Sequence, residues 1–231
     1  MLKIEKLNQY YNQSHTLWDV DLECKRGKCT CLMGRNGVGK TTLCKAIMGL
    51  LPIESGRLIY EGRDITDRPP YERANLAIGY VPQGREIFSS LSVRENLEIG
   101  ILANRNKTKK IPSKIYDLFP VLKDMRNRKG GDLSGGQQQQ LAIARALCIE
   151  PKFLILDEPG EGIQPNIVAE IGGVIDYLTK EEGITALLIE QKLPFARRHG
   201  DYFYILERGA AAASGRIGDL NDDVIKKHLS V

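Results

Sequence analysis

Three short stretches carry residues whose types and spacing can do chemistry on phosphates. Gly34-Arg35-Asn36-Gly37-Val38-Gly39-Lys40-Thr41, followed by Thr42, fits the spacing G-x-x-x-x-G-K-[ST]. Glycines at those places let consecutive backbone N–H groups curl round an anion, and a helix starting there adds roughly half a positive charge. Lys40 then reaches the outer phosphates of a nucleoside triphosphate, while the Thr41 hydroxyl ligates Mg2+. The pattern alone suits ATPases, GTPases and nucleotide kinases alike, although the guanine-specifying N-K-x-D is absent. The second stretch, Phe153-Leu154-Ile155-Leu156-Asp157-Glu158-Pro159, is an apolar run ending in two carboxylates. Side chains alternate along a strand, so the pair is expected to face opposite sides and divide the work. Asp157 would hold the metal and Glu158 would polarise the attacking water as general base. The third stretch, Leu133-Ser134-Gly135-Gly136-Gln137, pairs a good N-cap with two glycines whose N–H groups are bare at a helix start. Plain capping and a second phosphate contact both fit it.

The elements that must position these groups are legible as alternating patterns. Thr30–Met33, Ile78–Val81, Phe153–Leu156, Ala186–Ile189 and Tyr202–Leu206 read as short buried strands separated by helical patterns. Such alternation predicts an α/β fold with a mostly parallel sheet flanked by helices. The phosphate loop sits between the strand Cys29–Met33 and a helical pattern over Thr41–Leu50, the context its chemistry requires. From Ser92 to Glu150 strand signals vanish; helical patterns run over Ser92–Leu102, Ile111–Leu122 and Ser134–Glu150. That region reads as a helical subdomain inserted into the α/β core. Its middle collects Arg105, Lys107, Lys109, Lys110, Lys114, Lys123, Arg126 and Arg128, a solvated helical face or a contact with lipid head groups or a partner.

Composition removes several other classes. In 231 residues, 42% hydrophobic content supports a sizeable core and argues against intrinsic disorder. Lys+Arg 33 against Asp+Glu 29 gives a net charge of only +4, too mild for a nucleic-acid binder. No apolar run approaches the ~18 residues of a membrane span, and the opening MLKIEKLNQYY is too polar for a signal peptide. Cys24, Cys29, Cys31, Cys44 and Cys148 lack metal-ligand spacing and read as buried thiols.

Taken together, GRNGVGKTT, LSGGQ followed by QQQLAIARAL, and LILDEP resemble the nucleotide-binding subunit of an ABC transporter, over nearly the whole chain. The resemblance implies a P-loop NTPase (RecA-like) core over residues 1–91 and 150–231, with antiparallel β elements and a helical subdomain over residues 92–149. It implies ATP and Mg2+ as cofactors, with Gln83 sensing metal and water and Tyr11 stacking on adenine. It also implies a head-to-tail pair with a second ATPase chain, in which Ser134, Gly135, Gly136 and Gln137 of one chain close over the phosphate loop of the other. Permease subunits in the membrane, and indirectly a solute-binding protein, would be the further partners. The chain would then sit at the cytoplasmic face of the plasma membrane as a peripheral subunit, docking near Gly84–Val93 and the basic stretch after Asn104. VPQGREIF, GGDLSGGQQQQ and DEPGEGIQP are most similar to the ATPases of urea and branched-chain amino acid importers, the urea type above all. A soluble ABC ATPase and a non-hydrolysing regulatory module stay open as rival classes; the first usually carries two cassettes or a long coiled-coil insertion, and Glu158 speaks against the second. Three departures from the family pattern stand out. Gly160 replaces a threonine and is expected to loosen the loop after Glu158. Ala210–Ala213 is expected to weaken or alter a C-terminal hairpin. Gln191 occupies the place of the switch histidine and offers only neutral hydrogen bonds between base and γ-phosphate.

Overall fold

The computed structural model describes residues 1–104 and 110–229. Arg105, Lys107 and Lys109 of the basic stretch lie outside the described residues. In chain order the elements are β1 (Leu2–Tyr11), β2 (Ser14–Cys24), β3 (Cys29–Met33), α1 (Lys40–Ile47), β4 (Ser55–Tyr60), β5 (Arg63–Asp64), α2 (Pro70–Asn75) and β6 (Ile78–Val81). Then follow α3 (Val93–Leu102), α4 (Lys114–Leu118), α5 (Pro120–Asp124), α6 (Gly135–Leu147), β7 (Phe153–Asp157) and α7 (Pro165–Lys180). The chain closes with β8 (Thr185–Ile189), α8 (Leu193–His199), β9 (Tyr202–Glu207), β10 (Ala210–Arg216) and α9 (Asp222–His228).

Two sheets form. One is antiparallel in the order β2-β1-β4-β5; the other runs β10-β9-β3-β8-β7-β6, parallel except for the β10 hairpin strand. Every residue of β3, β7 and β8 is buried, as expected of central parallel strands covered on both faces. Their alternation divides the core in two. Leu32, Ile155 and Leu187 pack with α1 and the antiparallel sheet, whereas Cys31, Leu154, Leu156 and Leu188 pack with α3, α6 and α7. The helices α3 to α6 stand between β6 and β7, which are hydrogen-bonded neighbours in the sheet. All five cysteines are buried and free, and burial pushes the Cys24 and Cys148 thiols up to about 12.

One local expectation changes, and one is met in part. The helical pattern Ile111–Leu122 is not one helix but α4 and α5, because Pro120 lacks an N–H and forces Phe119 out of helical geometry, at φ −133° and ψ 73°. The alanine hairpin is altered rather than lost: β10 pairs with β9 from Ala210 to Arg216, slipping register between Ala211 and Ala213. Backbone hydrogen bonds carry a ladder, so small side chains weaken packing without removing the pairing.

Candidate functional site

The parallel strands β3, β7 and β8 end side by side, and the chemistry-bearing residues leave from those carboxyl ends. After Met33 the chain turns sharply at Gly34, where φ is +146° and an added Cβ would lie 2.4 Å from the Leu206 carbonyl. Gly39 has φ +105° and would drive a Cβ to 2.7 Å from the Leu17 side chain. Only glycine fits either place. Lys40 opens α1 and is 5% exposed; its Nζ donates to the carbonyls of Gly34 (2.8 Å) and Arg35 (2.9 Å). It lies 3.7 Å from the Glu158 carboxylate. Burial lowers the Lys40 pKa, and the neighbouring Glu158 and Asp157 oppose that shift.

Asp157, the last residue of β7, is 1% exposed, and neither of its carboxylate oxygens has a hydrogen-bond partner among the described residues. Burial pushes its pKa up to about 6; the nearby Thr41 hydroxyl and Lys40 act against this, and the Glu158 charge adds to it. A buried carboxylate with both oxygens orphaned beside a threonine hydroxyl is a hard-oxygen donor set that fits Mg2+. Glu158 does not simply alternate with Asp157 as the strand argument expects. The strand ends at Asp157, and Glu158 adopts φ +50° while its N–H donates to the Ile189 carbonyl at 3.1 Å. A left-handed backbone at a glutamate costs on the order of 1–3 kcal/mol, strain of the kind that gathers at functional sites. The turn brings its carboxylate to Lys40 and to Gln191, whose amide Nε2 donates to Glu158 Oε1 at 2.5 Å.

The backbone at Gln191 is fixed by the residue before it. Glu190 is 4% exposed, accepts the N–H groups of Gln191 (2.8 Å) and Lys192 (2.9 Å), and has its pKa raised by burial. Lys192 in turn donates to the Gly160 carbonyl at 3.2 Å. Gly160 is buried, and an added Cβ there would lie 3.3 Å from the Val168 side chain.

A hollow of about 420 Å3 is lined by Tyr11, Asn36, Lys40, Thr41, Gln83 and Glu158, together with Thr16, Gly37, Gly39 and Thr42. Tyr11 is 44% exposed, with its hydroxyl 3.5 Å from Thr42 Oγ1. Tyr10 turns elsewhere and stacks on His15 at 4.0 Å. The Gln83 amide donates to Glu161 at 2.9 Å. Arg35 and Val38 of the loop do not line this hollow. Ser134 caps α6 in a reciprocal box: its hydroxyl accepts from Gln137 N–H (3.4 Å), and Gln137 Oε1 accepts from Ser134 N–H (3.0 Å). Ser134, Gly135, Gly136 and Gln137 line a separate cleft of about 980 Å3 that has no residue in common with the first. Within one chain the structure therefore gathers Lys40, Thr41, Gln83, Asp157, Glu158 and Gln191 and leaves the Ser-Gly-Gly segment apart.

A pair of arginines went unread in the sequence. Arg85 donates to Gln138 on α6 at 3.1 Å, and Arg145, also on α6, donates to the Glu86 carbonyl at 2.8 Å and covers the Phe88 ring at 5.2 Å. They fasten the loop after Gln83 to the helix that Ser134 begins. Isolated arginines carry no periodicity, so only the fold reveals the clasp.

Comparison with known proteins agrees with this geometry. The family model described as ABC transporter matches residues 17–161. The high-affinity branched-chain amino acid transport ATP-binding protein BraG of Pseudomonas aeruginosa is 39% identical, covering 90% of this chain and 90% of that protein. The probable branched-chain amino acid transport ATP-binding protein LivF of Archaeoglobus fulgidus is 38% identical, covering 95% and 94%. A nucleotide-free ATP-binding cassette from an ABC transporter superposes with a TM-score of 0.83 at 30% identity, over 100% of this chain and 95% of the other. Another such cassette, in its ADP conformation, gives 0.81 at 31% identity, over 98% and 97%.

Proposed function

Because the chain belongs to the ABC transporter family and is the ATP-hydrolysing subunit of an importer, we propose the following division of work among its residues. The observation that carries it is the convergence of Lys40, Asp157, Glu158 and Gln191 at the carboxyl ends of β3, β7 and β8. The backbone from Gly34 to Thr42, through Arg35, Asn36, Gly37, Val38 and Gly39, cradles the phosphates. Lys40 exchanges its two carbonyl partners for phosphate oxygens. Thr41 and Asp157, with Gln83, would hold Mg2+, which when bound would neutralise phosphate charge. Glu158 takes the proton of the attacking water, and Gln191 holds the Glu158 carboxylate in place. Tyr11 offers its ring to the adenine.

The separation of the two clefts supports a composite site: Ser134–Gln137 of one chain would cover the phosphate loop of a second ATPase chain, and the capped start of α6 would present its N–H groups to the γ-phosphate. Residues 1–91 and 150–231 would act as the core and residues 92–149 as the helical subdomain that meets the permease, near the loop carrying Phe88, which is 46% exposed. Among the described residues no helix is long and apolar enough to cross a membrane. The chain would accordingly sit peripherally at the cytoplasmic face, with permease and solute-binding protein choosing the solute. The GGDLSGG form at Gly130–Gly136 supports urea as that solute. Branched-chain amino acids are the second reading, favoured by the names of the relatives BraG and LivF.

Glu158→Gln tests the assignment. With the base gone and Asp157 intact, Mg-ATP should still bind while turnover falls on the order of 10²–10⁴-fold. Sedimentation with ATP should show more dimer for the variant than for wild type. A variant that stays monomeric at high concentration would speak against the composite site, and unchanged turnover against the base. Uptake of labelled urea and leucine by vesicles holding the assembled transporter separates the two solutes.

A further inference from the structure

A second hollow, of about 300 Å3, lies beside the phosphate loop and has no residue in common with the nucleotide hollow. Its walls come from three places. Arg35 and Val38 belong to the loop after β3, Glu207 ends β9 with Arg208 following it, and Lys227 and His228 close α9. Because β3 and β9 are parallel neighbours, with Met33 opposite Ile205, the hollow sits at the carboxyl ends of adjacent strands. That edge of an open α/β sheet is where ligands commonly bind.

The charges around it do not balance. Glu207 is the one acid in the lining, and it is already engaged: its carboxylate lies 3.0 Å from His228 Nδ1, an imidazole only 12% exposed, which ties α9 to the sheet. That hydrogen bond first, and Arg208 and Arg35 after it, hold the Glu207 carboxyl below the usual range. Arg35, Arg208 and Lys227, all exposed, make no side-chain hydrogen bond or ion pair at contact distance with any described residue, and Arg35 and Arg208 feel the Glu207 charge only at longer range. The C-terminal end of α9 contributes roughly half a negative charge, too little to offset three cations. Two guanidinium forks and an ammonium round one small space suit a tetrahedral dianion better than a monovalent ion. The volume is at the lower limit for a ligand site, which favours a small anion over a whole nucleotide.

We propose that this hollow is a secondary anion site that takes a phosphate-class dianion, inorganic phosphate or pyrophosphate, on Arg35, Arg208 and Lys227. A phosphate held there touches the phosphate loop through Arg35 without entering the nucleotide hollow, so free phosphate gains a means of acting on the loop from outside.

The chain has only three histidines, His15, His199 and His228, so the imidazole proton resonances give a local reading. The experiment titrates the full chain with inorganic phosphate at constant ionic strength, in wild type and in Lys40→Ala, where the phosphate loop is disabled. Saturable movement of the His228 resonance in both, with His15 and His199 still, is the expected result. The exposed pair Arg208→Ala/Lys227→Ala should keep the His15 and His199 resonances and need at least tenfold more phosphate to move His228. A His228 resonance that ignores phosphate, moves equally with chloride, or moves only while Lys40 is intact overturns the proposal. So does an unchanged response in the double variant.

Discussion

Replacing Asp157 with asparagine separates the electrostatic cost of its buried carboxylate from its shape. The carboxylate is almost wholly buried and unpartnered, and burial raises its pKa from 3.8 to about 6. A carboxyl group whose folded pKa lies above its unfolded value weakens the fold as pH rises. The loss begins near the unfolded pKa and is complete above the folded one, so it develops between about pH 4 and pH 7. A shift of two units corresponds to about 3 kcal/mol at pH 8, with roughly half of that already present at pH 5. Asparagine keeps the volume and removes the charge. Its stability relative to wild type should therefore rise by roughly 1–2 kcal/mol between pH 5 and pH 8, equivalent to about 3–6 °C in Tm for a chain of this size. Calorimetric scans of the nucleotide-free, metal-free protein at matched ionic strength measure the difference, because titrating groups remote from Asp157 cancel between the two chains. Mg-ATP should reverse the order, stabilising wild type and leaving the variant short of a ligand. A stability difference that does not change with pH would show that this carboxylate is not desolvated and would refute the argument.

The remaining residues give shorter tests. Lys40→Ala should lower ATP affinity roughly ten- to a hundredfold, since charge-assisted bonds are worth about 1.5–3 kcal/mol each, and calorimetric titration reads the loss. Gln191→Ala should slow turnover by releasing the Glu158 carboxylate, while Gln191→His should raise the rate or bring in an inflection near pH ~6.5; turnover across pH 5.5–8.5 that matches wild type for both removes Gln191 from the mechanism. Because the side chain here is a neutral amide, pairing with a second ATPase chain that carries a histidine should give one stronger and one weaker site, visible as unequal single-turnover amplitudes. Arg85→Met should leave nucleotide binding to the monomer unchanged but reduce the ATP-dependent dimer, because the clasp from the Gln83 loop to Gln138 on α6 is gone; sedimentation with Glu158→Gln as background measures it.

Which parts were legible beforehand follows from how local the determining physics is. The phosphate cradle proposed at residues 34–42 depends on glycines at fixed offsets and a helix start, all within nine consecutive residues, so spacing alone suggests it. The buried strands also announce themselves, because central parallel strands need continuous apolar runs; the strand expected at Ile78–Val81 has those bounds in the structure. The single helix expected over Ile111–Leu122 breaks at Pro120, a local signal that overrides the periodicity. The four-stranded antiparallel sheet was expected only as unplaced β elements. Its strands β1 and β2 pair with bulges at several places, which breaks the alternation that sequence reading depends on.

Sequence by itself determined the chemical inventory: a lysine, a hydroxyl, two carboxylates and a capped glycine pair, each on an element of readable type. Only the tertiary structure decided their relations. Residues 40, 158 and 191 meet because three strands far apart in the chain end at one level, and a left-handed turn at Glu158 swings its carboxylate towards Lys40 and Gln191. The same packing sets Ser134 in a different cleft, orphans the Asp157 oxygens, fastens Arg85 to Gln138 and leaves Arg35, Arg208 and Lys227 round a hollow with a single carboxylate. Such facts depend on distances between segments, and a linear pattern carries no information on burial or on which charges find a partner once the chain has closed on itself.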